Sequence, residues 1–470
     1  MAVSSSGPRY IDCITRPGSL ARADIRRKEQ RMSVRAEAAA RIGDHDPASP
    51  MRHVLFASMI GTIIEWYDFL IYGTAAALVF NKLFFPSFDP ATGTLAALGT
   101  YAVGFVARPL GGTLFGHFGD RLGRKTILIL TLLITGGGTV LIGCLPTYGQ
   151  IGTLAPLLLI LLRFIQGIGL GGEWGGAVLM VVEHAPAHRR GLYGSLVQVG
   201  FPIGVAASTA VFIPLTALPA DDFLSWGWRI PFLLSLLLVA VGLFIRLRLT
   251  ETPAFQRVQS TASVSRRPAL EVLSRTPRVF FIAVGMKISE VAWVYVLTVF
   301  SIIYATRQLG LPRQLILNGI ILGALCELVT LPLAGWLSDR LGRKPVYLAG
   351  VVLSIAAAFP VFWLLDTRDP VVVVIGLALV MNATHAIGFG IGAAWMPELF
   401  ATRVRYTGAS LGCQVSAAIS GGFAPIIATA LLAWAGATWP VSLFMIGLGL
   451  LAAWAVIAAR ETHAQGLDQA

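Results

Sequence analysis

Gly116-His-Phe-Gly-Asp120-Arg121-Leu-Gly123-Arg124-Lys125 is matched further along the chain by Gly335-Trp-Leu-Ser-Asp339-Arg340-Leu-Gly342-Arg343-Lys344. Each copy follows one apolar run and precedes another. Each packs three cations, one carboxylate and a glycine into a short turn. Such a turn can pair its own charges and reach a neighbouring helix terminus. A single copy would suit a basic anchor. Two copies at matching places point to contacts made and broken at one end of a helical bundle. Arg108, before Pro109 in the run leading into the first copy, is assigned to the same latch.

The surrounding runs settle the class. The chain has 470 residues, 56% hydrophobic and 13% charged, with a mean hydropathy of +0.74. A soluble domain is about 25% charged, and disorder needs low hydrophobicity. The expectation is an all-α polytopic membrane protein with twelve transmembrane helices. The runs lie at 53–80, 93–117, 126–145, 154–182, 191–214, 229–247, 278–305, 313–336, 346–365, 371–396, 406–433 and 438–459. Most of the 36 Lys and Arg fall in the first tail and in alternate loops, whereas the other loops hold Lys82, Arg307, Arg313 and Arg368. Positive charge stays inside, so both termini are expected in the cytoplasm. The net charge of +12 is then mostly topology, and no basic domain remains for nucleic acid. Residues 1–50 form a polar, basic tail without the h-region of a signal peptide. It is expected to be disordered, and Met32 and Met51 compete with Met1 as starts. Cys13, Cys144, Cys326 and Cys413 show no metal or disulfide spacing.

The repeat extends past the loop. Arg248-Leu-Thr-Glu251-Thr252 after the sixth run is echoed by Arg460-Glu461-Thr462 after the twelfth. The reading is two six-helix bundles, 51–247 and 278–460, joined by a cytoplasmic loop at 248–277 and ending in a short tail at 461–470. Parallel repeats of this kind place a solute site between the halves near mid-membrane.

Ionisable side chains inside spans are functional candidates by default. Glu65 and Asp68, three apart in the first run, share a helix face. Like charges that close can hold a proton, or one of them pairs with a base on another helix. Arg163 can bind a carboxylate through two parallel hydrogen bonds, whether of a substrate, a coupling group or a fixed partner. Glu173, among glycines, is either a proton site or half of a packing ion pair. Lys287 and Glu290 are also three apart and either neutralise each other or bind solute. Glu327 and His385 stand alone in their runs, and His385 can relay protons or pack through hydrogen bonds. Trp66, Tyr67, Trp174, Trp293 and Tyr295 lie near these charges and can wall a pocket.

The duplicated loop, with Arg163-Phe-Ile-Gln166-Gly167-Ile-Gly169, resembles the major facilitator superfamily over about residues 50–462. A narrower resemblance is to the metabolite:proton symporters. It rests on Glu65-Trp66-Tyr67-Asp68-Phe69, Gly172-Glu173-Trp174-Gly175-Gly176, Glu251-Thr252-Pro253-Ala254-Phe255, and Pro397-Glu398-Leu-Phe400-Ala-Thr402-Arg403-Val-Arg405-Tyr406-Thr407-Gly408. Tyr193-Gly194-Ser195 and Gln198-Val199-Gly200 look most like the shikimate-type branch. The resemblance implies proton-driven uptake of a small organic solute across a bacterial inner membrane; the positive charge of Arg163 and Lys287 favours an organic acid, and a monomer is expected. No cofactor or metal is expected, and the proton gradient drives the process. Carriage of a zwitterion such as betaine or proline, export, and a non-transporting sensor are the alternatives. No P-loop, zinc or GxSxG element indicates an enzyme.

Overall fold

The computed structural model describes residues 50–88, 90–252, 255 and 268–463. The basic tail with Cys13, Met1 and Met32, the middle of the 248–277 loop with Pro253 and Ala254, and residues 464–470 lie outside the described residues. The described chain is helix and turn, without a strand. Its long helices are α1 (Met51–Leu83), α2 (Pro90–Leu122), α3 (Arg124–Cys144), α4 (Leu154–His184), α5 (Ala187–Thr216), α6 (Gly227–Leu247), α7 (Pro277–Arg307), α8 (Arg313–Leu341), α9 (Arg343–Ala356 with Pro360–Asp366), α10 (Pro370–Glu398), α11 (Thr402–Ala435) and α12 (Trp439–Ala458). A short helix, Pro268–Arg275, lies ahead of α7.

Among the described residues, ten helices are long and apolar enough to cross a membrane, or eleven if the two parts of α9, bent by 45°, count as one span. Twelve are expected from the apolar runs. The difference is α2, which occupies the place of the second run. Its many glycines and threonines and Arg108 dilute its apolarity.

α1 packs on α4, α5 and α6, and α4 packs on α2 and α3. Later in the chain α7 packs on α11 and α12, and α8 on α10. Contacts between the first six helices and the last six run mainly from α2 to α11 and from α5 to α8 and α10. Large apolar side chains such as Leu157, Leu237, Val329 and Leu379 are exposed on the outside. In water this would be a liability; against acyl chains it is the stable arrangement. Among the described residues, four spans contain a π-helical segment: Ala76–Phe80 in α1, Val296–Phe300 in α7, Asn382–Ala386 in α10 and Ala417–Gly421 in α11. Such bulges are frequent at functional sites.

Small residues bring the α2 and α4 backbones into contact. A Cβ at Gly111 would overlap the Ile168 carbonyl, and one at Gly171 would meet the Gly112 amide nitrogen at 2.6 Å. Helices in lipid associate through such close approach. Gly137 in α3 has nothing within 4 Å of its would-be Cβ. Gly171→Ala is therefore expected to lower stability by about 1–3 kcal/mol through overpacking, while Gly137→Ala leaves it unchanged. Thermal unfolding of both variants in detergent checks this, and equal midpoints would refute the tight crossing.

Candidate functional site

The two copies of the duplicated loop lie at one end of the bundle and repeat the same contacts. Asp120, at the end of α2, accepts from the Tyr406 and Thr407 backbone N–H groups at 3.2 and 3.0 Å and from the Thr407 hydroxyl at 2.8 Å. Asp339, at the end of α8, accepts from the Gly191 and Leu192 N–H groups, both at 2.8 Å. Each carboxylate thus sits on the N-terminal turn of a helix packed across the bundle, α11 or α5, where the unpaired N–H groups and the helix dipole favour an anion.

Behind each aspartate stands a buried arginine. Arg124 is 3.5 Å from Asp120 and 3.4 Å from Glu183. Arg343 is 2.6 Å from Asp339 and 3.1 Å from Glu398. Thr252 donates to Glu183 at 2.6 Å and Thr462 to Glu398 at 2.5 Å. Glu251 accepts from the N–H groups of Arg124 and Lys125, and Glu461 from those of Arg343 and Lys344. Half-burial would raise the Glu461 carboxyl, but the backbone N–H groups of Lys344, His463, Arg343 and Thr462 hold it below its ordinary value. Lys125 and Lys344 close the C-terminal ends of α6 and α12 by donating to the carbonyls of Leu247 and of Ile457 and Ala459.

The glycines have specific reasons. Gly123 and Gly342 have φ of 108° and 106°, a region that favours glycine. A Cβ at Gly116 would meet the Thr407 Cα at 2.7 Å. Arg121 and Arg340 stay exposed, beside His117 and over Trp336. Arg108 does not belong to this end. Twelve residues of helical rise, about 18 Å, separate it from Asp120, and its guanidinium lies over Phe69 and Phe105, 4.7 and 5.1 Å from the ring centres.

In the interior of the first six helices, Glu173 pairs with Arg246 of α6 at 2.7 Å. Arg246 also donates to the Leu128 carbonyl, and Gly61 of α1 leaves room for the guanidinium. Of the two readings open for Glu173, the ion pair is the one with a visible partner. Asp68 accepts from Ser235 of α6 at 2.6 Å. Glu65 is within electrostatic reach of Arg108, Arg246 and Glu173. Arg163 donates to Gln166 at 3.2 Å, lies 4.1 Å from the Tyr72 ring centre and is within electrostatic reach of Asp68.

The second cluster is linear. Lys287 is 2.8 Å from Glu290, Glu290 is 3.6 Å from His385 Nε2, and His385 Nδ1 is 2.7 Å from Glu327. Glu327 and His385 are therefore not solitary; side-by-side packing of α8 and α10 brings them together. All four are buried.

A connected set of rings joins the two clusters. Trp66 meets Phe69, Phe201 and Phe389; Phe105 meets Tyr295 at 5.4 Å; His385 stacks on Phe389 at 4.7 Å. Lys287 Nζ lies between Trp174 of α4 and Phe389 of α10, 5.3 and 5.0 Å from their ring centres. The indole N–H groups of Trp66, Trp174 and Trp293 have no acceptor among the described residues. Tyr67 points elsewhere, donating to the Pro231 carbonyl at 2.8 Å. Among the described residues no group of His, Cys, Asp and Glu could hold a metal ion.

Sequence reasoning did not single out Arg246, Glu183 or Ser235. Arg246 ends an apolar run and counts there with the loop cations. Glu183 carried a signal, since it and Glu398 both end long apolar runs just before a basic turn.

The family model of the Major Facilitator Superfamily matches residues 55–421 and 292–467. The chain is 41% identical over 420 residues to a shikimate transporter of Escherichia coli, covering 88% of this chain and 96% of that one. It is 41% identical to the inner membrane metabolite transport protein YhjE of the same organism, covering 90% and 97%. A proline/betaine transporter of Salmonella typhimurium is 34% identical, covering 79% and 76%. In fold it is similar to the proton:xylose symporter XylE, with a TM-score of 0.70 at 16% identity, covering 89% and 98%. On these matches the chain belongs to the Major Facilitator Superfamily, within its metabolite:proton symporter family, and is a multi-pass membrane transporter and not an enzyme.

Proposed function

We propose that this protein takes up a small organic acid together with protons across the bacterial inner membrane, as a monomer. The halves 51–247 and 278–460 alternate access to a site between them, with both chain ends in the cytoplasm. The observation that carries the reading is the aromatic set holding Arg108, Arg163 and Lys287 beside indole donors that have no acceptor among the described residues. Cations facing rings, with spare N–H groups, suit a ring-bearing carboxylate, because a guanidinium or ammonium answers the charge and the aromatic faces take the apolar body. The 41% identity to a shikimate transporter supports the same solute class. Glu65 and Asp68 on one side, and Glu290 and Glu327 on the other, are the candidate proton carriers. The residues proposed for the site all come from one chain, which supports a monomer.

Asp120 and Asp339 are read as latches that hold the loop-motif end closed. Each spans from one half to a helix N-terminus of the other, so rocking the halves must break both.

Two outcomes are expected. In proteoliposomes, an inward proton gradient drives accumulation of one acid from a panel of shikimate, quinate, 2-oxoglutarate, citrate and aromatic acids. Arg163→Gln lowers the initial rate at least tenfold. An unchanged rate after the gradient is collapsed, or accumulation of betaine or proline alone, would overturn the reading.

For the latch, Asp120→Asn weakens charge-assisted hydrogen bonds worth about 1.5–3 kcal/mol, on the order of tenfold or more in population. A cysteine placed at buried Ser410, with the native cysteines replaced, should then be alkylated at least tenfold faster. Equal alkylation rates with and without Asp120→Asn would remove the latch.

A further inference from the structure

We propose that Glu327, His385, Glu290 and Lys287 form a proton relay that gates binding of the substrate's anionic group, with Glu290 occupying Lys287 until a proton reaches it. This deepens the symport reading above and rests on it.

The geometry is a line of four groups drawn from α8, α10 and α7, each end different. One imidazole bridges two carboxylates, through Nδ1 to Glu327 at 2.7 Å and through Nε2 to Glu290 at 3.6 Å. His385 lies in the π-helical segment Asn382–Ala386, a feature frequent at functional sites. The ring is clamped by Phe389 and Phe201. Glu327 Oε2 has no partner among the described residues. At the other end Lys287 Nζ has Glu290 on one side and the faces of Trp174 and Phe389 on the others. Other titratable neighbours are Tyr347 of α9, which donates to the Met286 carbonyl at 3.0 Å, Cys413 of α11, and Tyr295 of α7, with Arg108 and Glu65 of the first six helices within electrostatic reach of the last two.

Charge counting gives the gate. Two carboxylates and one ammonium, with neutral His385, leave the buried cluster one negative charge in excess. An uncompensated charge away from water is unfavourable, so the cluster favours one added proton. That proton enters on Glu327. The Glu327 O–H bond breaks as His385 Nδ1 gains the proton, and the His385 Nε2–H bond breaks as Glu290 gains one. Glu327 ends as a carboxylate, His385 as the neutral opposite tautomer and Glu290 as a neutral acid. Lys287 has then lost its counter-ion. A substrate carboxylate entering between Trp174 and Phe389 takes that place. Without the proton, Glu290 competes with the substrate for the same ammonium. Binding of the anion therefore requires the proton, and the two move together.

The test uses the whole protein in liposomes with two readouts. The first needs no solute: infrared difference spectra are recorded between alkaline and acidic pH. A carboxylic-acid band should grow in the wild type and be diminished in Glu290→Gln and in Glu327→Gln. A band identical in all three proteins overturns the relay, whatever the solute proves to be. The second uses shikimate as probe. In His385→Asn the ratio of gradient-driven accumulation to solute exchange should fall at least tenfold. An unaltered ratio also overturns the relay. Absence of any accumulation by the wild type would instead strike the symport reading, while the infrared result still decides the relay.

Discussion

A charge carried into a bilayer must meet an opposite charge or a set of hydrogen-bond donors on another helix, because no water is there to solvate it. Nearly every structural choice in this chain answers that demand. Arg246 reaches Glu173, and the space for its guanidinium exists because α1 has a glycine at position 61. Arg124 and Arg343 each reach two carboxylates on separate segments. Removal of one member would strand the other, and a stranded buried charge is worse than none. The ion pairs therefore hold the helices in register more than they add to stability.

The same rule separates two regions of the molecule. At the loop-motif end Asp120, Asp339, Arg124, Arg343, Lys125 and Lys344 each meet a counterpart: aspartate the helix N-termini, arginine a glutamate, and lysine the last carbonyls of a helix. At the centre the accounts do not close. Among the described residues, indole N–H groups lack acceptors, one Glu327 oxygen has no partner, and one imidazole serves two carboxylates. Paired charges suit a contact that holds one state until the halves rock apart. Incomplete satisfaction leaves capacity for something that arrives from outside. The π-helical segments of α1, α7 and α10 fall in the spans that carry the central charges and rings.

The membrane class, the duplicated loop and the family could be read without coordinates, because they depend on local composition and on short motifs. A run of apolar residues long enough to span is visible in the chain itself, and a turn dense in Asp, Arg, Lys and Gly keeps its character wherever the fold puts it. The apolar rule worked less well for α2. Its glycines serve packing against α4, and they lower the hydropathy by which a span is recognised.

What only the tertiary structure decided is which charges meet. His385 and Glu327 are 58 residues apart, and nothing in either run announces the other. Arg108 looks like part of the adjacent loop in sequence, yet the helical rise of 1.5 Å per residue carries it to the rings of Phe69 and Phe105. Tyr67 is next to a candidate site residue and points the opposite way, to Pro231. Sequence specifies how far along a helix a side chain sits and what it could bind. Its partner depends on helix rotation and neighbour choice, and those are set by the packing of all the helices together.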